Sequence, residues 1–392
     1  MKNTIKICGI TTRAATSRFM IDSFSYMKEY GFEPYIICQY NKNLEETLLE
    51  KGIKYMPLPM KSGNVDPIEV VKRTYQLTRI FRKNKFDIIQ YASCNASLYA
   101  CIAGWLARVP VRILCQWGLT YLGYDGIRKK LFRAIERITC SFSTKIQPDS
   151  HTNLQFAIEE KLFKKGKGSV IWNGSACGLD FSKFDVSLKE KWKEEIRREF
   201  GIRMDSKVFG FVGRIVRDKG VNELLGAFLK YQTDDNNSYL LLIGPKDGMD
   251  EIEPELKSKV LVNSHIIFTG LRSDINRCYA ALDLMVLPSY REGFGMVVLE
   301  AAAMKVPVIS SNIMGPTDFV KERETGLVCE VKSTESLYKV MLQSKELTFI
   351  QYSELCENAY KQAKEQYEQS IFNKKVLEDR LFLYKKTLVS HM

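Results

Sequence analysis

Only three histidines occur in the 392 residues, His151, His265 and His391, and none stands near another. That excludes a histidine-rich metal centre, which gathers several imidazoles. The ten cysteines are scattered without a single Cys-x-x-C spacing, which favours buried reduced thiols over a disulfide framework or a zinc site. Long hydrophobic runs are missing as well. The longest, Leu98 to Ala107, stops at Arg108, well short of the roughly 20 residues needed to cross a bilayer. The opening MKNTIKICGITTRAATSRF holds only a short apolar run before its arginines, unlike a secretory leader, so residence in the cytoplasm is expected. No internal repeat and no strongly biased tract is visible, which argues against a solenoid and against long disorder.

What is present is the balance of a soluble globular protein, 45% hydrophobic and 27% charged, in a chain long enough for two domains. The formal net charge of +12 favours an anionic partner, whether nucleic acid, a phosphorylated metabolite or an acidic membrane surface. Short β-like runs alternate with helical periodicity, the pattern of parallel sheets flanked by helices. A first series of strands is expected at Ile5–Cys8, Pro34–Cys38, Lys54–Pro57, Asp87–Tyr91, Arg112–Gln116, Thr144–Gln147 and Ser169–Trp172, with helices such as Ile68–Asn84 and Ser97–Ala107 between them. A second is expected at Val208–Val212, Tyr239–Ile243, His265–Thr269, Asp283–Leu287, Val306–Ser310 and Leu327–Cys329, before a last helical segment from Ser353 to Leu388. The turn-rich NGSACGLD and the charged SLKEKWKEEIRREFGI separate the two series. The expected architecture is α/β, two Rossmann-like doubly wound domains facing a cleft, over 1–190 and 191–372. A C-terminal helix, 373–392, crosses back to the first domain.

Two clusters could carry chemistry. In FVGRIVRDKGVNELLGAF a strand ends at Val212, turns through Gly213-Arg214 and enters a helix after Lys219-Gly220. Arg214 and Lys219 then stand where helix N–H groups and the positive dipole end await a diphosphate; an ordinary strand-to-helix turn has the same composition. The spacing is not that of a P-loop. In LPSYREGFGMVVLEAAA a strand leads through Glu292-Gly293-Phe294-Gly295 into a helix beginning near Met296, with Glu300 in its second turn. The glycines allow close approach of a ligand to the backbone. Eight residues of helix span roughly 12 Å, more than the roughly 5–9.5 Å between paired glycosidase carboxylates, so Glu292 and Glu300 are read as having different roles. Val298 stands where the dinucleotide fingerprint needs its third glycine, which removes support for hydride chemistry.

Gly213-Arg214, Lys219-Gly220, Phe268-Thr269-Gly270, Glu292-x₇-Glu300 around Gly293-Phe294-Gly295, Gly315-Pro316 and Thr325-Gly326-Leu327 occur in the order and spacing of family 4 glycosyltransferases. The chain resembles these retaining enzymes of GT-B fold over nearly its whole length. Gly178-Leu179-Asp180 followed by Phe184 resembles the junction motif of the subgroup that builds capsule, O-antigen and lipid-linked glycans. The resemblance implies that Arg214 and Lys219 neutralise the donor diphosphate and that Glu300 holds the ribose. It implies that Glu292, with the amides around Phe294, Gly295, Met296 and Val297, positions the donor sugar and α-phosphate. Gly213 forms the phosphate turn, the base lies near Gly244-Pro245 and Leu271-Arg272, and the turn Gly9-Ile10-Thr11 closes on the donor. Where many relatives have a histidine before a glycine, this chain has Gln116-Trp117-Gly118-Leu119; Trp117 either stacks on a sugar face or belongs to the core.

The implied reaction moves a sugar from a nucleoside diphosphate sugar, a UDP-sugar by the resemblance, to a polyprenyl-diphosphate-linked or growing bacterial glycan. No Asp-x-Asp occurs, so the expectation is a metal-independent front-face mechanism with no cofactor, in which cations and a helix terminus stabilise the departing diphosphate. Ile127–Ile138 (IRKKLFRAIERI) places Ile127, Leu131, Ala134, Ile135 and Ile138 on one helical face and five basic residues elsewhere. Such a helix can lie on anionic lipid or simply face a core; with Lys161, Lys164, Lys165 and Lys167 nearby, peripheral contact with the inner face of the membrane is expected. A GT-B sugar-nucleotide epimerase and a basic nucleic-acid-binding protein are the alternatives. The second lacks any zinc, RNA-recognition or helix-turn-helix pattern.

Overall fold

The computed structural model describes residues 4–389, in which two separate six-stranded parallel sheets form. The first contains β1 (Ile5–Ile10), β2 (Phe32–Cys38), β3 (Lys54–Pro57), β4 (Ile88–Tyr91), β5 (Val111–Gln116) and β6 (Lys145–Pro148), in the order β3-β2-β1-β4-β5-β6. The second contains β7 (Lys207–Val212), β8 (Ser238–Ile243), β9 (Ile266–Gly270), β10 (Leu284–Leu287), β11 (Val308–Ser311) and β12 (Gly326–Cys329), in the order β12-β11-β10-β7-β8-β9. Counted from its own first strand, each sheet has the same doubly wound order, which reverses between β1 and β4 in one and between β7 and β10 in the other.

Residues up to Gly178 and from Gln369 onward form unit 1; Leu179–Glu368 forms unit 2. In each, successive strand residues alternate between two cores, one per sheet face, because side chains alternate across a strand. In β1, Ile7 joins Met20, Phe24 and Ile36, while Cys8 and Ile10 join Leu77, Phe81 and Tyr91. In β7, Val208 joins Met285 and Leu287, while Phe209 and Phe211 join Leu225, Phe228 and Val286. Helix Gln369–Val389 completes unit 1 by inserting Phe372, Val376 and Leu377 into the Ile7 core.

Two expected elements differ. Ser169–Trp172 is no strand: Gly168 makes a single bridge to Ile146, Ser169 adds one bond to the Ile146 carbonyl, and Trp172 then turns to a φ of 50° that no strand continues. The segment from Ser353 to Leu388 is two helices, Phe349–Tyr367 and Gln369–Val389, broken at Glu368, whose ψ of 127° leaves the helical region. At that break Leu179 N–H donates to the Tyr367 carbonyl at 2.8 Å, so the points where the chain enters and leaves unit 2 lie paired. His391 lies outside the described residues.

Candidate active site

The loops that follow β7 and β10 flank the point where the strand order of unit 2 reverses, the place where doubly wound sheets bind ligands. After β7, Gly213 N–H extends the ladder to the Ile243 carbonyl at 2.9 Å. Beside it Gly244 has φ 150°, and a Cβ there would lie 1.9 Å from the Gly213 carbonyl oxygen, so only glycine allows this approach. Gly244 N–H in turn donates to Gly270, which brings Gly244 and Leu271 together at the same edge. Arg214 projects into solvent. A single 3₁₀ turn, Arg217–Lys219, then meets left-handed Gly220, whose missing Cβ makes room for the Pro288 carbonyl 2.0 Å from that position, and helix Val221–Asp234 begins.

Three side-chain pairs zip the two loops together. Arg291 reaches Asp218 at 2.7 Å, Lys219 reaches Glu292 at 2.7 Å and the Tyr290 hydroxyl donates to Glu223 at 2.6 Å. Ser289 Oγ also donates to Glu292 Oε1 at 2.8 Å, and Ser311 Oγ ties the loop from below through the Ser289 carbonyl. Lys219 and Glu292 are mostly shielded, with 21% and 13% of their side chains exposed. Their attraction is therefore less screened than that of a surface pair. Burial, followed by the bond to Glu223, holds the Tyr290 phenol well above its ordinary range, so it donates as a neutral group.

Glu292 stands in the loop rather than on the helix. Phe294 is buried against Tyr367 at 5.1 Å between ring centroids, and left-handed Gly295 starts helix Met296–Ala303 with no side chain capping it. The first N–H groups of that helix, at Met296 and Val297, have no partner within the helix itself. Glu300 sits one turn in, its Oε2 accepting from the Tyr279 hydroxyl at 2.9 Å, while that hydroxyl also approaches the Val297 carbonyl at 3.3 Å.

Thus Gly213, Arg214, Lys219, Gly244, Leu271, Glu292, Phe294, Gly295, Met296, Val297 and Glu300 all gather at the carboxyl edge of the unit 2 sheet. The fold adds Asp218, Tyr279, Tyr290 and Arg291, which have no signal in sequence because each acts through a partner distant along the chain, and Ser289, whose bond to Glu292 three residues on depends on the shape of the loop. Arg272 is already engaged, by Glu199 at 2.6 Å and Asp274 at 2.8 Å. Among the described residues no group of three His, Cys, Asp or Glu side chains is placed to hold a metal ion.

The remaining expected site residues lie in unit 1. The turn expected at Gly9-Ile10-Thr11 starts later, because Gly9 and Ile10 are still strand. A Cβ on Gly9 would lie 2.6 Å from Met20 Sδ, which gives this glycine a packing role, and the buried Thr11 hydroxyl is used by Ser17 at 2.6 Å. Trp117 follows β5, half-buried, edge-on to Phe19 with 5.3 Å between centroids, and Gly118 takes a φ of 89°.

Residues 192–366 match the family model Glycosyl transferases group 1, and residues 6–150 match Glycosyl transferase 4-like. The capsular polysaccharide biosynthesis glycosyltransferase CapM of Staphylococcus aureus is 28% identical over 333 residues, 84% of each chain. The UDP-Gal:alpha-D-GlcNAc-diphosphoundecaprenol alpha-1,3-galactosyltransferase of Escherichia coli is 25% identical over 335 residues, again 84% of each. Among solved structures, Anabaena HepE in complex with UDP-glucose superposes with a TM-score of 0.78 at 17% identity, covering 96% of this chain and 99% of that one. Motif spacing, the two doubly wound sheets and these likenesses agree: the chain belongs to the family 4 glycosyltransferases of GT-B fold, a group 1 glycosyl transferase unit following a glycosyl transferase 4-like unit.

Proposed function

We propose that this protein transfers a sugar from a UDP-sugar to a lipid-linked or growing bacterial surface glycan with retention of configuration and without a metal. The observation that carries the reading is the interlocked pair of loops that fixes Lys219 against Glu292 beside the uncapped start of helix Met296–Ala303. A cation held in place and a helix N-terminus suit a diphosphate, since both favour negative charge without reorganising. Arg214 and Lys219 neutralise the diphosphate, the amides of Met296 and Val297 take phosphate oxygens, and Glu300, oriented by Tyr279, accepts from the ribose hydroxyls. Glu292 holds Lys219 in place and faces the donor sugar. The relatives support the donor and acceptor classes through their own names, which specify UDP-Gal, a diphosphoundecaprenol acceptor and capsule synthesis.

In the proposed step the bond from the sugar C1 to the β-phosphate oxygen breaks and its electron pair leaves with the diphosphate. The acceptor oxygen bonds to C1 on the same face, and its proton passes to an oxygen of the departing diphosphate. No second carboxylate stands beside Glu292 in the loop to serve as a covalent nucleophile. Thermal unfolding with UDP, GDP, ADP and NAD tests the site. UDP at 100 times its dissociation constant adds about 2.7 kcal/mol, and that gain is expected to disappear in the Arg214→Ala, Glu300→Ala double variant. Equal stabilisation by all four ligands, or by none, contradicts the reading.

The same proposal places the protein at the inner face of the cell membrane, on helix Gly126–Phe142. Of the apolar stripe, Ile135 turns inward with Phe132, whereas Ile127, Leu131 and Ile138 stay 85%, 51% and 43% exposed, so these three cover no core. Arg128, Lys129, Lys130 and Arg137 border it; Lys167 instead caps the helix end through the Cys140 carbonyl at 2.6 Å. Sedimentation with phosphatidylglycerol vesicles is expected to exceed that with phosphatidylcholine vesicles, and to fall severalfold in Ile127→Glu, Leu131→Glu. Equal sedimentation by variant and wild type would remove this helix from the membrane.

A further inference from the structure

Unit 1 carries a second polar site of its own, at the carboxyl ends of β4 and β5. Ser93, Cys94 and Ser97 border it from the start of helix Cys94–Leu106, Gln116 and Trp117 from the end of β5, and Glu136 from the inner face of helix Gly126–Phe142. The cavity offers about 50 Å³ to the centres of water-sized molecules, room for one hydroxyl or hydroxymethyl substituent rather than a sugar ring. Gln116 is 2% exposed and Ser97 3%. Gln116 Nε2 donates to Glu136 Oε1 at 2.5 Å, while Gln116 Oε1 and Ser97 Oγ have no hydrogen-bond partner. Buried polar atoms left unpaired are costly, so an occupant that bonds to both is favoured.

The chemistry of the lining selects that occupant. No lysine or arginine among the described residues borders the cavity, so nothing in its lining attracts an anion. Accepting oxygens of Gln116, Ser97 and Glu136 call for an uncharged group rich in O–H donors. Trp117, half-buried and packed on its other side against Phe19 and the Ile7 core, lines the cavity beside them and is an aromatic group of the kind against which a pyranose rests.

We propose that this cavity is a carbohydrate subsite, in which a hydroxyl of the acceptor's sugar donates to Gln116 Oε1 and accepts from Ser97 Oγ, with Glu136 holding the Gln116 amide in place, while the sugar ring lies against Trp117. The assignment to the acceptor rests on the glycosyl-transfer reading above; the pocket and its neutral-sugar chemistry do not. It gives Trp117, which also packs against the Ile7 core, a second role and connects the helix proposed for lipid contact, through its inner face, to sugar recognition.

Burial, opposed by the bond from Gln116, pushes the Glu136 carboxyl from 4.5 up to about 7. The groups facing it stay neutral: Cys94 on the neighbouring helix is pushed up to about 12, Tyr121 and Cys140 are also held up by burial, and Gln116 on β5 does not titrate. Arg133, on the same helix, is paired with Glu160 at 2.6 Å. Because the folded carboxyl holds its proton to higher pH than the unfolded one, it weakens folding as pH rises from 4.5 to about 7. Glu136→Gln is therefore expected to fold at least as stably as the wild type above pH 7.

Saturation-transfer NMR on the full chain, with glucose, galactose, N-acetylglucosamine and N-acetylgalactosamine at up to about 100 mM, tests the subsite, since contacts of this size give millimolar affinities. At least one sugar is expected to bind, with Kd raised about tenfold or more in both Glu136→Gln and Ser97→Ala and with inorganic phosphate unable to compete. Binding by none of the four sugars, an unchanged Kd in the variants, or displacement by phosphate overturns the proposal. If Glu136→Gln does not fold, Ser97→Ala decides. UDP stabilisation, measured on the same samples, is expected to be unchanged by either substitution. Wild-type protein that responds to UDP but binds none of the sugars condemns this pocket alone; sugar binding without any UDP response condemns the donor reading alone.

Discussion

Alanine at Arg214 or at Lys219 is expected to slow sugar transfer by at least about 10²–10³-fold, the usual cost of removing one preorganised group that stabilises developing charge. As the C1–O bond breaks, negative charge grows on the departing diphosphate, and a cation already in place stabilises it without the free energy that reorganising water dipoles costs. The two variants should differ in a second respect. The Arg214 side chain is exposed and has no partner among the described residues, so its loss leaves the loops intact. Lys219 holds Glu292, whose side chain is 13% exposed, and its removal takes away the cation paired with that mostly buried carboxylate. Lys219→Ala should therefore also lower the thermal midpoint, whereas Arg214→Ala should not. Initial rates at saturating donor, read with thermal unfolding, check both points. A rate within tenfold of wild type for either variant would remove that cation from the transition state.

The largest stability effect is expected away from the site, at Arg197. This arginine is fully buried, an uncommon place for a charge. Its guanidinium donates to the Ala281 carbonyl at 3.0 Å, to the Met204 and Ser206 carbonyls at 3.0 and 2.9 Å, and to Asp283 Oδ2 at 3.0 Å. Asp283 Oδ2 also accepts from Val208 N–H at 2.7 Å. One side chain thus bolts helix Lys189–Glu199 to the starts of β7 and β10, the strands whose opposite ends carry both site loops. Arg197→Met would leave a mostly buried carboxylate with Lys193, 3.7 Å away, as its nearest cation and the Val208 N–H as a donor, and would take the guanidinium from three carbonyls. The expected loss is about 3–5 kcal/mol. Urea unfolding, with hydrogen exchange at the β7 amides to assign the transition to unit 2, measures it; a loss below about 1 kcal/mol would mean that the packing there does not depend on the arginine.

Much of the architecture is legible in the chain because it rests on near neighbours. Alternation along Ile5–Ile10 and Lys207–Val212 fixes which side chains share a face, whatever those faces later meet. Apolar runs such as LMVL have too few polar atoms to lie anywhere but inside a parallel sheet. Gly220 and Gly295 mark helix starts because each turn needs a left-handed residue. Where local cues fail, the reason is a competing local one. Trp172 ends the strand expected at Ser169–Trp172 by its backbone angle, and Glu368 interrupts a periodicity that reads as one helix.

The candidate site divides in the same way. Arg214, Lys219, Glu292 and Glu300 are visible because they sit at strand ends and helix starts. Their partners are not, because Asp218 meets Arg291, Lys219 meets Glu292 and Glu223 meets Tyr290 across 73, 73 and 67 residues. Helix Gly126–Phe142 shows the limit most plainly: its sequence gives an apolar stripe and basic flanks, yet only its neighbours determine that Ile135 turns inward while Leu131 remains outside. The sequence by itself determined most of the strands, the two-unit α/β class, the glycine turns of unit 2 and the charged residues at their ends, since periodicity and backbone angles depend on adjacent residues. The tertiary structure decided which of those charges are held, which are buried and which polar atoms are left waiting, as for Lys219, Arg197 and Gln116, since these depend on what folding brings close in space.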